Sequence, residues 1–363
     1  MTSLYATRIG RARRQMHARG VDALLVSVGF DLPYLIGYHA MPLERLTALV
    51  VTSERATLVV PRLEAARVTH HPEVFDIVAW NETDDPVATT ATLIGSSRRI
   101  AVGDQMWSRF LVELLPHLKE REFVRSVDVV GSMRIHKDDA EIASLSAAGA
   151  AADRVAAQLQ GGEIPLIGRT EAQVSADISA RLIAEGHDVV NFAIVAAGEN
   201  AASPHHHAGD RVIKHGEIVL CDFGGTMAGY CSDITRCVHL GEPPADVARA
   251  WMDLRRAQEA GVAAGIVGAT CESVDAAARE VLDEAGWGGY FIHRTGHGIG
   301  MEAHEEPYMV SGNALPIAAG HAFSVEPGIY VEGKWGMRLE DIVVATEAGP
   351  RRLNHAPRDL VVL

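Results

Sequence analysis

Residues 168–186 read GRTEAQVSADISARLIAEG, and residues 268–286 read GATCESVDAAAREVLDEAG. The two stretches align without a gap, and six positions are identical at a constant offset of 100 residues. Each has a Thr where a helix N-cap is expected and a Gly where the helix would end. A helical segment precedes each copy, and apolar strands follow it. This internal repeat predicts a pseudo-twofold α/β domain with a site between its halves.

Each copy of the repeat is followed by two apolar strands around a Gly-rich turn, and each strand pair carries two acids. In EIVLCDFGGTMAGYCSDITRCVHL (217–240), Asp222 and Asp233 are equidistant from the turn centre between residues 227 and 228. In AFSVEPGIYVEGKWGMRLEDIVVAT (322–346), Glu326 and Glu340 are equidistant from Gly333. Simple antiparallel pairing makes each pair of acids cross-strand neighbours, although a bulge could shift either register by a residue.

Four facing carboxylates would raise one another's pKa values unless cations neutralise them, so the sequence predicts a site for two divalent ions. The segment FIHRTGHGIGMEAHEEPY (291–308) lies between the hairpins and offers His293, His297 and His304 as a neutral ligand. We choose His297 because glycines flank it and leave its backbone uncrowded. Thr235 lies two residues after Asp233 on the same strand face and is a possible hydrogen-bond partner of a bridging carboxylate.

The N-terminal part of the chain has a different pattern. Six short strands (DALLVSV, TALVVTS, ATLVVP, FDIVAW, RIAVG, VDVVG) alternate with helical stretches, which predicts a small α/β domain with a doubly wound sheet. A long amphipathic helix then begins near Asp138. We therefore expect an N-terminal α/β domain over residues 1–133 and a catalytic domain over residues 134–363.

Composition excludes several functional classes. The chain has 363 residues, 33 Lys+Arg and 47 Asp+Glu, and its formal charge of −14 disfavours nucleic acid and anionic membranes as partners. The N-terminus lacks the pattern of a secretory signal, and no apolar run is long enough to span a bilayer. The four cysteines match no zinc motif, so we expect reduced core residues in a cytoplasmic protein.

Four motifs closely resemble those of the pita-bread metallopeptidases, in particular the Xaa-Pro dipeptidases (prolidases) and Xaa-Pro aminopeptidases. The matching segments are DFGGTMAGYCSDITR, HRTGHGIGMEAHEEP, SVEPGIY and GMRLEDIV. The resemblance is clear from about Ile135 to the C-terminus. It implies a pita-bread catalytic domain preceded by a small, creatinase-like N-terminal domain.

The resemblance also implies roles for individual residues. Asp222 would bind one metal, Asp233 and Glu340 would bridge both metals, and His297 and Glu326 would hold the second. Glu326 would accept the proton of the attacking water and His304 would stabilise the oxyanion. His205, His293 and His304 would surround the substrate, and Arg338 would support the site or bind substrate. The segment SPHHHAGD (203–210) departs from the usual family sequence around a Pro-His pair. His205 still matches that pair, whereas His206 and His207 stay outside this assignment.

These observations predict a metal-dependent hydrolase of the bond before proline in short peptides, most of all Xaa-Pro dipeptides. A set of four carboxylates and one imidazole favours manganese, with cobalt or zinc as alternatives. Xaa-Pro aminopeptidase activity on longer peptides, hydrolysis of another small amide by the same fold, and a non-catalytic binding module are the rival functions. The resemblance further implies a homodimer, to which the apolar cluster in residues 30–38 would contribute either interface or core.

Overall fold

The computed structural model describes residues 3–363, and its contacts divide the chain into two compact units between Arg134 and Ile135. No helix of this described range is long and apolar enough to cross a membrane. All four cysteines are buried and unpaired, as their sequence context predicted.

The first unit is built on one six-stranded sheet. Its strands are β1 Ala23–Val26, β2 Ala48–Thr52, β3 Ala56–Pro61, β4 Asp76–Trp80, β5 Arg99–Val102 and β6 Glu122–Arg125, in the order β4-β3-β2-β1-β5-β6. Its helices are α1 Leu4–Ala18, α2 Asp31–Ile36, α3 Arg62–Ala65, α4 Pro86–Ile94, α5 Ser108–Leu114 and α6 Gly131–Arg134, with 3₁₀ turns at Leu115–His117 and Ser126–Asp128.

Two expectations for this unit are wrong. The sheet is mixed rather than doubly wound, because β2 pairs antiparallel with both β1 and β3. Only a short turn joins β2 to β3, and a parallel pair needs a crossover of about a dozen residues or more. The segment VDVVG is not a strand. Its Val129 and Val130 are both fully buried, so the segment lacks the alternation that would mark a half-buried strand.

The apolar cluster at residues 30–38 belongs mainly to the interior of this first unit. Leu32, Tyr34, Leu35 and Ile36 lie in α2 with exposed fractions of 2% or less. The cluster therefore contributes core rather than a surface that could bind another subunit.

The second unit contains the repeat. Its helices are α7 Asp139–Gln160, α8 Glu171–Ala184, α9 Ala245–Ala264 and α10 Cys271–Glu284, with 3₁₀ turns at Gly198–Ala202 and Gly288–Tyr290. Its strands are β7 Val189–Ala197, β8 Ile218–Met227, β9 Tyr230–Cys231, β10 Ile234–His239, β11 Gly296–Gly298, β12 Glu305–Met309, β13 Ala322–Val325, β14 Gly328–Val331, β15 Trp335–Arg338, β16 Asp341–Thr346, β17 Gly349–Arg352 and β18 Val361–Val362. They form sheets in the orders β18-β10-β8-β7, with β9 on β8, and β12-β11-β13-β16-β17, beside the pair β14-β15.

The predicted repeat is confirmed in the backbone. Thr170 and Thr270 are the N-cap residues of α8 and α10. Each threonine also forms an antiparallel bridge with a later segment, Thr170 with Val212 and Thr270 with Pro316. The two halves thus repeat the same order of helix, helix and sheet, and each half supplies one of the two acid-bearing hairpins.

The hairpin of β13 to β16 has the predicted register. Val325 pairs with Asp341, Gly328 with Arg338 and Val331 with Trp335, so the pairing is centred on Gly333 throughout. Glu326 and Glu340 lie next to these pairs at matching positions, as the sequence predicted.

The hairpin of β8 to β10 turns one residue later than predicted. Its two-residue turn is Ala228–Gly229, where both φ angles are positive (48° and 83°), as a type I′ turn requires. Asp222 therefore pairs with Thr235 rather than with Asp233. Asp233 remains on the same face as Thr235, two residues away, so the two acids are diagonal neighbours.

Candidate metal centre

All nine residues that the sequence analysis assigned to metal binding, catalysis or substrate contact line one cavity of the second unit, with a volume of about 470 Å³. The cavity is lined by Phe192, Ile194, Pro204, His205, Asp222, Asp233, His293, Arg294, His297, His304, Glu326, Arg338 and Glu340.

Four acids and one histidine of the cavity lining lie close together. Their potential ligand atoms form overlapping groups in which all atoms lie within 4.8 Å of one another: Asp222 with Asp233 and Glu340, and His297 with Glu326 and Glu340. A third group joins Asp233, His297 and His304. Glu340 belongs to the first two groups and Asp233 to the first and third, so both can reach two positions.

The pKa values of these acids are shifted because the carboxylates are buried close to one another and to His297. Burial first, and then the charges of Glu340 and Asp222, raise the pKa of Asp233 well above its ordinary value. Burial and the charge of Glu326 likewise raise the pKa of Glu340. Burial also acts to raise the pKa of Glu326, but the hydrogen bond and charge of His297 outweigh it and lower that pKa.

Divalent cations fit this donor set. Asp222 Oδ1 and Asp233 Oδ1 are buried and have no hydrogen-bond partner among the described residues. A buried carboxylate oxygen without a partner is costly, and a cation would satisfy it while removing the repulsion between the acids. Hard oxygen donors with one imidazole suit divalent metal ions.

The position of His297 depends on a close approach of three strands. Strand β11 lies between β12 and β13, and a Cβ atom on Gly296 would meet the carbonyl oxygen of Ser324 at 1.9 Å. A Cβ on Gly298 would meet the carbonyl oxygen of Glu306 at 2.3 Å. The expectation of an uncrowded backbone around His297 is therefore wrong. The flanking glycines are required because the backbone has no room for a side chain.

Hydrogen bonds orient the imidazole and its neighbours. His297 Nδ1 lies 3.1 Å from the carbonyl oxygen of Gly298, which leaves Nε2 facing the acids, 3.1 Å from Glu326 Oε1 and 3.8 Å from Asp233 Oδ2. The Ser324 hydroxyl donates to Glu326 Oε1 at 2.9 Å. The second nitrogen of a metal-binding histidine is held in this manner in many metalloproteins.

Arg338 is buried among protein acceptors. Its Nη2 donates to Asp222 Oδ2, its Nε donates to Thr235 Oγ1 at 3.1 Å, and its Nη1 donates to Tyr330 OH at 2.9 Å and to the carbonyl oxygen of Pro204 at 3.3 Å. Because all three nitrogens have protein partners, these contacts favour the supporting role over substrate binding.

Tyr330 is a site residue that the sequence analysis missed. Its hydroxyl accepts from Arg338 and lies 2.8 Å from Nε2 of His293, whose Nδ1 lies 2.7 Å from the carbonyl oxygen of Arg294. Tyr330 is four residues after Glu326 along an extended segment, an even spacing that puts both side chains on one face. This even spacing is the feature of the sequence from which a position of Tyr330 beside the site could have been predicted.

The three adjacent histidines of the loop at residues 203–210 have different surroundings. His205 is exposed at the cavity wall. His206 instead lies 2.8 Å from Oε2 of the fully buried Glu171, and His207 is exposed and does not line the cavity.

His304 packs against the candidate ligand His297, with the centroids of the two imidazole rings 3.9 Å apart. Burial and the charge of His297 lower the pKa of His304 to about 4.

Comparison with known proteins gives matches over both units. The profile of metallopeptidase family M24 matches residues 143–347, and the profile of the creatinase/prolidase N-terminal domain matches residues 8–136. These matches confirm the fold that the resemblance implied.

Individual relatives match along almost the whole chain. The probable dipeptidase PepE of Mycobacterium tuberculosis is 44% identical, covering 99% of this chain and 97% of its own length. The Xaa-Pro dipeptidase of Lactobacillus delbrueckii is 32% identical, with 98% of each chain covered. The crystal structure of dipeptidase PepE from Mycobacterium ulcerans has a TM-score of 0.94 and 45% identity, covering 99% of this chain and 98% of its own.

Proposed function

Because the chain belongs to metallopeptidase family M24, we propose that it hydrolyses Xaa-Pro dipeptides with two divalent metal ions bound among the five clustered ligands. The names of its relatives support a dipeptide substrate, and the Lactobacillus delbrueckii enzyme is named for the Xaa-Pro bond. The observation that carries the proposal is the group of four carboxylates and one imidazole in the lining of a cavity of about 470 Å³.

Each ligand has a proposed place. Asp222 would hold one ion, Asp233 and Glu340 would contact both ions, and His297 and Glu326 would hold the second. The two overlapping acid groups support this division, since Glu340 takes part in both. When bound, divalent ions would lower the pKa of a water molecule and polarise the scissile carbonyl. Manganese is our first choice, with cobalt or zinc as alternatives, because oxygen donors outnumber nitrogen donors.

The side chains around the ligands would perform the remaining steps. Glu326 would accept the proton of the attacking water, since its carboxylate lies among the candidate metal ligands, with Oε1 3.1 Å from Nε2 of His297. His304, whose pKa is about 4, is neutral near pH 7 and donates a hydrogen bond to the developing oxyanion. His205 and His293 contact the substrate from the cavity wall. Arg338 neutralises part of the acid charge and orients Asp222.

Metal content and hydrolysis measured together test this proposal. Chelation should abolish hydrolysis of a dipeptide panel, and added manganese or cobalt should restore it. Dipeptides ending in proline should be cleaved with higher kcat/KM than matched dipeptides without proline and than Xaa-Pro-Yaa tripeptides. Full activity in a preparation shown to be metal-free would reject the binuclear site. Equal cleavage of tripeptides would favour an aminopeptidase, and equal cleavage of dipeptides without proline would give a broad dipeptidase.

We further propose a homodimer, on the resemblance to the pita-bread metallopeptidases, and a cytoplasmic location, on the four buried and unpaired cysteines. Sedimentation at micromolar concentration checks the first part: a single species of 39.0 kDa, the mass of one chain, would contradict it.

A further inference from the structure

Arg294 is a cation at the cavity wall without a counterion. It precedes β11 and is half-buried, and its guanidinium lies over the Tyr308 ring at 4.1 Å from the centroid. Across residues 3–363, its guanidinium forms neither an ion pair nor a hydrogen bond. Stacking on the ring fixes the plane of the guanidinium and leaves the N–H donors at its edge free.

The other charged groups of the cavity are compensated. Arg338 is paired with Asp222 and has protein partners at all three nitrogens. The remaining acids face one another in the groups that fit divalent ions. With those ions bound, the guanidinium of Arg294 is the charged group of the cavity lining that still has no counterion.

The free donors of Arg294 match a carboxylate. A planar guanidinium fork binds carboxylates in a bidentate geometry, and its hydrogen bonds to them are charge-assisted. Arg294 lines the same cavity as the four acids and His297 that form the candidate metal site.

Two carboxylates of a dipeptide could meet this cation: the C-terminal carboxylate, or the side chain of an acidic Xaa residue. The C-terminal group is present in every dipeptide, whereas an acidic Xaa is present in few. A partly buried cation without a counterion is costly, so a contact made with every substrate accounts for it better. Arg294 would also repel the substrate's amino group and thereby orient the dipeptide.

We propose that Arg294 binds the C-terminal carboxylate of the substrate, an assignment that rests on the proposed dipeptidase function. It makes Arg294, rather than the buried Arg338, the residue that selects dipeptides over longer peptides. A tripeptide has an amide at the position of this carboxylate and loses the charge-assisted contact.

The test compares Ala-Pro with Ala-prolinamide in the metal-loaded wild-type protein, Arg294→Met and Arg294→Lys. The wild type should prefer the free carboxylate by about 10- to 100-fold in kcat/KM, the range of a hydrogen bond between charged groups. Arg294→Met, which keeps an apolar side chain against Tyr308, should lose this preference through a higher KM for Ala-Pro and should cleave the amide as the wild type does. Arg294→Lys should restore part of the preference. Arg351→Met, which removes an exposed arginine outside the cavity lining, is the matched control.

Glu-Pro and Gln-Pro form the second arm. If Arg294→Met selectively weakens Glu-Pro cleavage relative to Gln-Pro and keeps the preference for free Ala-Pro over its amide, the cation binds an acidic Xaa and our assignment is wrong. An equal loss on Ala-Pro and Ala-prolinamide would reduce Arg294 to a structural role and also overturn the assignment.

A binding measurement separates this inference from the proposed function. Calorimetric titration of L-proline and L-prolinamide onto metal-loaded protein requires no turnover. Tighter binding of proline that disappears in Arg294→Met supports the carboxylate contact even if no dipeptide is cleaved, a result that would reject only the proposed function. Equal binding of proline and its amide by the wild type would overturn the contact.

Discussion

Thr235 and Glu340 join the two acid-bearing hairpins at the candidate metal centre. Their backbones form an isolated antiparallel bridge, and Thr235 Oγ1 donates a 2.6 Å hydrogen bond to Glu340 Oε2. The same hydroxyl accepts from Arg338 Nε at 3.1 Å. A fully buried threonine thus connects an acid of one half of the repeat with the arginine that binds Asp222 of the other half.

Replacing this hydroxyl should weaken metal binding while the fold is retained. Thr235→Val keeps the shape of the side chain but leaves Glu340 Oε2 and Arg338 Nε without their partner. Such supporting contacts change metal affinity by about 10- to 100-fold, and we expect a loss of that size in a competition titration with a chelator. Thr226→Val, on the half-exposed end of β8, is the control and should bind metal normally. Wild-type affinity in Thr235→Val would show that the hydroxyl does not hold the ligand.

Glu326→Gln should lose catalysis more than it loses metal. The substitution removes the base that accepts the proton, and general acid–base catalysis contributes about 10²- to 10⁴-fold, so kcat should fall by at least that factor. Metal content per chain is measured on the same preparation. The control is Glu332→Gln, a neutralised acid at the exposed turn of the same hairpin. A variant with both ions and near-normal kcat would mean that another group is the base.

His304→Ala should keep both ions and lose kcat. Removing one oxyanion donor costs about 10²- to 10³-fold, which a steady-state assay resolves easily. His207→Ala, an exposed histidine outside the cavity lining, should behave as the wild type. Because His304 also lies within 4.8 Å of the ligand atoms of Asp233 and His297, loss of one ion from His304→Ala would identify it as a ligand.

The lowered pKa of His321 should make the folded protein less stable at acidic pH. Burial, with the nearby His136 and Lys137, lowers its pKa from 6.5 to about 3, so the unfolded chain binds the proton more tightly than the folded chain. The stabilisation is complete above pH 6.5 and falls as the pH drops towards 3. By about pH 5 the loss amounts to about 2 kcal/mol of unfolding free energy.

His321→Asn provides the measurement. It retains an acceptor for the Ala318 N–H but cannot be protonated, so the difference in unfolding free energy between about pH 7.5 and about pH 5 should shrink by about 2 kcal/mol. Urea unfolding of the chelated protein gives both values. His355→Asn replaces an exposed histidine of the same unit and should leave the pH dependence unchanged. The same slope in His321→Asn and wild type would contradict the prediction.

The sequence predicted the structure best where the geometry depends on residues close together in the chain. The hairpin centred on Gly333 could be predicted because EGKWG offers a single centre between two apolar strands, and the structure has that register. The segment GGTMAG offers several glycines, and the turn formed at Ala228–Gly229 instead of the predicted centre. An error of one residue in the turn changed the partner of Asp222 from Asp233 to Thr235.

The contacts of the two arginines could not be predicted from spacing. Arg338 was expected to support the site or to bind substrate, but which of its nitrogens remain free depends on strands distant in the sequence. Arg294 received no role because nothing in its local sequence shows that a counterion is absent. The partners of Arg338 and the missing counterion of Arg294 both depend on residues that tertiary packing brings close from distant parts of the sequence.

With the proposed ions bound, the two hairpins would also link the metal supply of a cell to the amount of this protein. Asp222 and Asp233 come from one half of the repeat, and Glu326 and Glu340 from the other. Ions held between them would add their binding free energy to the folded state alone, and their removal would leave four acids facing one another. A cell short of the proposed ions would then lose more than catalytic turnover, because the empty chain would open more often and be degraded faster. Its steady-state abundance should therefore follow metal availability.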